Sequence, residues 1–310
     1  METVEVSGRP PKNENKTVLV IGKLDGVHLG HQYLLHEAKK TVRSGEQLAV
    51  YSFSDHPKWV LKGEEEYNYT LTSSQHKREI LDRFGVYRYY HVQFTEEYAR
   101  TSPETFVFEH LSQMNLSRIV VGEDFRFGKG RGSDAEGLAE LCRQIDIPVT
   151  ILPVVKLNGE KISSTTIRTL VQQGHMEAAQ AMLSRPFELT GIVEKGEQLG
   201  RELGFPTLNL GQIEEYVEVK PAVYLGVVEL DETPEHYYTL ISAGYRPTVN
   251  GDSYKVEAYL LDYSGDLYNH KVRIKFLRHL RDEVDFNGIE ALVEQMKEDE
   301  RKARLILGID

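Results

Sequence analysis

Cysteine is nearly missing from this chain. Cys142 is the single one among 310 residues, so no internal disulfide can form and a reducing, cytosolic compartment is expected. Long apolar runs are missing too: no segment approaches the roughly 18 apolar residues of a membrane span. The opening METVEVSGRPPKNENK has acidic residues and prolines where a signal peptide needs a basic start and an apolar centre. Positive charge is in deficit, with 37 Lys and Arg against 48 Asp and Glu and a formal net charge of −11. That balance disfavours generic binding to nucleic acid or an anionic membrane. A soluble cytoplasmic protein is expected, in which local donors hold any anionic ligand. Nothing in the composition specifies an oligomeric state.

What is present is enough for a sizeable core. The chain is 40% hydrophobic, and its length favours two domains. Short β-branched runs at Thr17 to Ile21, Leu48 to Phe53, Ile119 to Gly122 and Pro148 to Pro153 read as strands. Between them lie helical patterns, Tyr33 to Arg43, Gln75 to Phe84, Pro103 to Gln113 and Ala135 to Gln144. This alternation predicts an α/β doubly wound parallel sheet, whose ligands bind at the carboxyl ends of the strands.

A last helical stretch, Ser164 to Leu183, ends at the break Ser184-Arg185-Pro186. Beyond it come short alternating segments, LTGIVEKG, AVYLGVVEL, YYTLISAGY, YKVEAYLLDYSGD and HKVRIKFL, which predict a small antiparallel barrel or sandwich. Ile289, Leu292, Val293 and Met296 then follow the spacing of one buried face of a terminal helix. The expected domains are therefore 1–184 and 185–310.

Two stretches carry chemistry. In VLVIGKLDGVHLGHQ, a strand ends at Ile21 and a helix begins near Gly30, so His28 and His31 fall on the turn and the first helical turn. Free backbone N–H groups and the helix dipole favour phosphate there. Gly30 removes a side chain so that a triphosphate can approach, and the histidines can donate to oxygens that gain charge as pyrophosphate leaves. A metal pair and ordinary satisfied histidines are the competing readings, although no third metal ligand has suitable spacing. In EKISSTTIR, several hydroxyls precede a helix, which reads as an N-cap or an anion site. In GEDFRFGKGRG, Arg126, Lys129 and Arg131 form a mobile basic loop. It is not a Walker A motif, because Gly130 follows the lysine.

The second stretch is EKGEQLGRELGFPTLNL. On an extended segment Thr207 and Asn209 share a side while Leu208 faces the core. Their hydroxyl and amide oxygens suit magnesium, and Gly196, Gly200 and Gly204 could form a phosphate loop; taken alone, such a segment is more often a plain turn. In YKVEAYLL, Glu257 faces away from Val256 and Ala258. It reads as a general base or as a solvated strand glutamate.

GKLDGVHLGHQ resembles the HxGH signature of nucleotidyltransferases. Together with VVGEDFRFGKGRGSD and KISSTTIR it is similar to the FAD synthetase module of bacterial bifunctional riboflavin kinase/FAD synthetases, and GFPTLN resembles the riboflavin kinase signature. The resemblance implies a Rossmann-like nucleotidyltransferase domain that adenylylates FMN to FAD and a barrel that phosphorylates riboflavin to FMN. ATP would be the co-substrate and Mg2+ the cofactor. It implies His28 and His31 as catalytic, with Gly22, Asp25, Gly30, Ser164, Thr165 and Arg168 contacting ATP in the first domain. Asp124 and Phe127 would meet flavin. In the barrel it implies Gly196, Gly200, Thr207 and Asn209 for Mg-ATP, Glu257 as the base accepting the 5′-hydroxyl proton, and Arg281 for flavin. Alternatives are a paralogue retaining only the kinase, a flavin-binding regulator without turnover, or another HxGH adenylyltransferase. The chain departs from the family pattern at Leu24, Asp55, Ser184, Ala222 and Gln198-Leu199. An alanine at a position with positive φ would cost about 1 kcal/mol.

Overall fold

Strand Thr17–Ile21 is buried along its whole length, as expected of a central parallel strand covered on both faces. In the computed structural model, residues 1–54, 57–196, 199–231, 235–248 and 251–309 are described. By its contacts the chain divides into Met1–Ser164 and Thr165–Asp310.

The first unit is built on six parallel strands: β1 (Glu2–Val6), β2 (Thr17–Ile21), β3 (Gln47–Phe53), β4 (Arg88–Val92), β5 (Leu116–Gly122) and β6 (Val149–Leu152). Their order is β1-β4-β3-β2-β5-β6. The strand order reverses between β2 and β5, and ligands of such sheets bind in the crevice beyond the strand ends at that point. Both chemistry-bearing loops of this unit leave the sheet there, one after Ile21 and one after Gly122. Successive residues of each strand feed opposite cores. Leu19, Ile21, Tyr51 and Val121 join Phe106, Leu138 and Cys142 on one side. Val18, Val20, Val50 and Val120 join Leu35, Ala38, Ile80 and Leu81 on the other. The Cys142 thiol is buried, and burial pushes its pKa up to about 12; it is a packing residue.

Helices α1 (Leu29–Thr41), α2 (Ser74–Arg83) and α3 (Ala135–Arg143) lie within a residue or a turn of the predicted positions. The stretch Pro103 to Gln113 is helical in three pieces, with a π-helical segment at Phe106–His110. Strands β1 and β4 have no counterpart in the sequence reading. β1 is a half-exposed edge strand of mixed polarity, which leaves no clear apolar period to detect.

The predicted helix Ser164 to Leu183 is two helices, α4 (Ser164–Gln172) and α5 (Met176–Leu183). They are separated at Gly174, where φ is +79°. The contact division falls at Ser164, earlier than the expected 184. The cause is that α5 packs on the barrel: Glu177 pairs with Arg278 at 2.7 Å, and the Lys220 N–H donates to the Val171 carbonyl.

The barrel itself is closed and antiparallel, formed by β7 (Phe187–Glu194), β8 (Thr207–Gly211), β9 (Ala222–Leu230), β10 (His236–Thr248), β11 (Gly251–Leu260) and β12 (Lys271–Asp282), in the order β7-β8-β11-β10-β9-β12. Closure leaves no free sheet edge. Ser184 caps α5 at φ 60°, ψ 15°, the left-handed conformation that favours glycine. Ala222 opens β9 without positive φ, so the anticipated alanine cost is not incurred.

Along the expected face of the terminal helix α6 (Ile289–Leu307), Leu292, Val293 and Met296 are half-buried. Ile289 is 58% exposed, while the helix buries Asp299 and Ala303. The helix is anchored through its second half: Arg281 donates from Nε and Nη2 to the Asp299 carboxylate at 2.8 to 3.0 Å. Among the described residues no helix is long and apolar enough to cross a membrane.

Candidate functional site

Beyond the end of β2 the chain makes a tight, constrained turn. Leu24 and Val27 are fully buried at φ 52° and 40°. Positive φ is costly for side chains with a Cβ and most of all for β-branched valine. Burial of both side chains in the core shared with α1 and α2 holds them there. Gly26, at φ +80°, lies between them. Gly22 opens the turn, its N–H donating to the Tyr51 carbonyl.

The turn delivers His28 to the N-cap of α1. Its Nδ1 accepts the His31 N–H at 3.4 Å, which leaves Nε2 to carry the proton of the neutral ring and to act as a donor. The His28 and His31 rings stack, with centroids 3.6 Å apart. Burial first, then His28 and Lys77, hold the His31 imidazole well below the usual histidine range. His31 Nδ1 is buried and has no hydrogen-bond partner among the described residues. A Cβ on Gly30 would lie 3.0 Å from His28 Cε1. Gly30 therefore makes room for the folded-back His28 ring.

Asp25 and Ser164 complete this end. The Asp25 carboxylate is buried and turned inward, accepting from Thr70 Oγ1 and the Leu71 N–H, both at 2.9 Å. It tethers the turn. Ser164 Oγ donates to the Asp25 carbonyl at 2.8 Å, which joins the start of α4 to the same turn. Thr165 and Arg168 continue α4 in the second unit; Thr165 is exposed and Arg168 buried.

Asp124 sits just past β5 and pairs with Lys161 at 2.5 Å, both side chains being about half exposed. Phe127 is buried, packed on Phe106 and stacked on Phe125. In the basic loop Arg126–Phe127 pairs with Ser133–Asp134 as a short antiparallel ribbon. Arg126 is committed to Asp134, which caps α3, while Lys129 and Arg131 are exposed.

In the barrel, β8 and β11 bring the second set of residues together. Asn209 is registered opposite Glu257, and Thr207 opposite Tyr259. With side chains alternating in period two, Thr207, Asn209, Glu257 and Tyr259 share one face. Leu208, Leu210, Val256 and Ala258 are buried on the other. A Cβ on Gly196 would meet the Asn209 amide at 2.2 Å, and one on Gly200 would meet the Phe205 carbonyl at 2.5 Å. Gly196 thus lies directly against Asn209, and a Cβ on Gly200 would stand 3.5 Å from Thr207 Oγ1. The Arg281 guanidinium is occupied by Asp299, and Gln295 Nε2 donates to the same carboxylate at 2.9 Å. Among the described residues no group of three or more His, Cys, Asp or Glu side chains is placed to hold a metal. Asp55 and Gln198 lie outside the described residues, as does the Leu199 side chain.

Lys77 and Lys161 are the residues of this region that the sequence reading missed. Lys77 had a signal, since it falls three and four residues before Ile80 and Leu81 on the apolar face of α2.

Comparison with known proteins matches this two-part arrangement. The FAD synthetase family model fits residues 10–166, and the riboflavin kinase family model fits 183–307. A FAD synthetase from Listeria monocytogenes is 46% identical over 200 residues, covering 64% of this chain and 81% of its own. A bifunctional riboflavin kinase/FMN adenylyltransferase from the same organism is 34% identical over 292 residues, covering 93% and 91%. The crystal structure of a macrolide-efflux protein from Streptococcus pneumoniae superposes with a TM-score of 0.90 at 29% identity, covering 98% of this chain and 99% of that one.

Proposed function

The chain belongs to the family of bifunctional riboflavin kinase/FMN adenylyltransferases, and from that premise we propose that it makes FMN from riboflavin and FAD from FMN, using ATP in both steps. The adenylyl-transferring part is 1–184 and the kinase part 185–310.

In the first reaction a phosphate oxygen of FMN attacks the α-phosphorus of ATP, and the bond to the β-phosphate oxygen breaks to release pyrophosphate. FMN brings its own nucleophile. The protein's share is orientation and stabilisation of charge. His28 Nε2 and His31, at the N-terminus of α1, donate to oxygens of the polyphosphate, aided by the helix dipole. Gly22 and Ser164 shape the turn that receives it, Asp25 holds that turn, and the loop carrying Asp124 and Phe127 serves the flavin.

In the second reaction the riboflavin 5′-hydroxyl oxygen attacks the γ-phosphorus, its proton passes to Glu257 and ADP leaves. General-base help of this kind is worth about 10²- to 10⁴-fold. The Thr207 hydroxyl and the Asn209 amide oxygen would hold Mg2+, whose liking for hard oxygen donors and retained waters fits so small a protein set. When bound, the ion neutralises charge on the phosphate oxygens. Gly196 and Gly200 admit the phosphates. Arg281, held by Asp299, steadies the flavin side.

The observation that carries this reading is the pairing of Asn209 with Glu257 across β8 and β11, with Thr207 on the same face. The test is product chromatography of the protein with riboflavin, ATP and magnesium. Both FMN and FAD are expected. FMN without FAD would remove the adenylyl transfer, and FAD from added FMN without FMN from riboflavin would remove the kinase.

A further inference from the structure

Lys77 is only 6% exposed. It sits in the first turn of α2, one turn ahead of Ile80 and Leu81, and side chains so spaced lie on one helix face. Ile80 and Leu81 pack in the core that holds Leu24 and Val27, so the same face carries Lys77 onto the turn beyond β2. Its Nζ donates to the Lys23 carbonyl at 3.3 Å. That carbonyl also accepts from Ser52 Oγ at 2.6 Å, so one oxygen of the turn is fixed from two elements.

Lys77 lies at the positive end of its own helix, and that helix's dipole and the ammonium both attract a polyanion on the turn.

We infer that Lys77 is a positioning residue for adenylyl transfer: its buried ammonium ties α2 to the Lys23 carbonyl and so carries a positive charge to the turn that leads into the stacked His28 and His31. This rests on the proposed adenylyl transfer. Burial first, then the stacked His28 and Lys77, lower the His31 pKa, so the lysine charge adds to what keeps that ring neutral. A neutral His31 is a hydrogen-bond donor to phosphate whose strength does not drift with pH near neutrality.

The test compares Lys77→Met, which keeps the length and apolar stem, with Lys77→Arg, which keeps the charge. FAD formation from FMN should fall in Lys77→Met by about tenfold or more in kcat, and Lys77→Arg should restore part of it. FMN formation by the same preparations reports that the chain is folded and should stay within about twofold of the parent. Equal activity of Lys77→Met and the parent would overturn the inference, as would Lys77→Arg falling below Lys77→Met, the order expected of packing alone. A second readout needs no turnover: by NMR, the His31 ring should titrate at higher pH in Lys77→Met than in the parent. If the parent itself makes no FAD, the proposed adenylyl transfer fails, and an unchanged His31 titration would then overturn the Lys77 inference separately.

Discussion

Asn209 and Glu257 stand opposite each other on adjacent antiparallel strands, in direct register, with Gly196 against the Asn209 amide. An amide, a carboxylate and a glycine therefore meet on one face of the barrel, the set to which the proposed kinase chemistry is assigned. Glu257→Gln keeps the shape and removes the base. FMN formation should drop by about 10²- to 10⁴-fold, while FAD formation from supplied FMN stays unchanged. Separate assays with riboflavin and with FMN check this, and equal losses in both would count against the assignment.

His28 has a cap role and a proposed donor role, which substitutions separate. As N-cap of α1 it contributes about 0.5–2 kcal/mol, and a cap bond of 3.4 Å points to the low end. His28→Ala should lose both cap and donor, lowering thermal stability slightly and FAD formation by about 100-fold. His28→Asn can cap the helix. Its melting temperature should return to that of the parent while its FAD formation remains depressed, as calorimetry and rate measurements on the two variants would show.

The pH dependence of stability follows from His31 and His110. Burial is the first cause lowering both from their ordinary value of 6.5, strongly for His31. Near and below that value the unfolded chain takes up protons that the folded protein does not. The stabilising contribution is thus complete above about pH 6.5 and is lost as pH falls towards the folded values. His110→Phe suits the neighbouring rings of Tyr98 and Phe106. It should flatten melting temperature against pH between about 5 and 6.5; an unaltered slope would exclude His110 from this linkage.

Ser184 holds a left-handed backbone at the end of α5, with φ 60°. Ser184→Gly relieves the Cβ strain, partly offset by the greater freedom of glycine in the unfolded chain. A gain of about 0.5–1 kcal/mol is expected, read as a higher denaturation midpoint. The same change at Ala222 should destabilise, since that residue lies in a strand without positive φ.

The sequence determined by itself what depends on local periodicity and short spacing. Thr17–Ile21 emerges with the predicted bounds because five consecutive buried residues mark a central parallel strand. His28 and His31 fall at the start of α1 because the strand and the helix pattern bracket them. Thr207 and Asn209 share a face because strand side chains alternate. Tertiary structure alone decided what depends on distant partners. It paired Asn209 with Glu257, far along the chain, and turned Asp25 inward onto Thr70 and Leu71. It added Asp299 to the anchorage of α6, because a buried carboxylate takes its place from the Arg281 guanidinium rather than from an apolar period. It also buried Lys77 against the turn beyond β2, where a helix position that ordinarily packs an apolar side chain holds a charge instead.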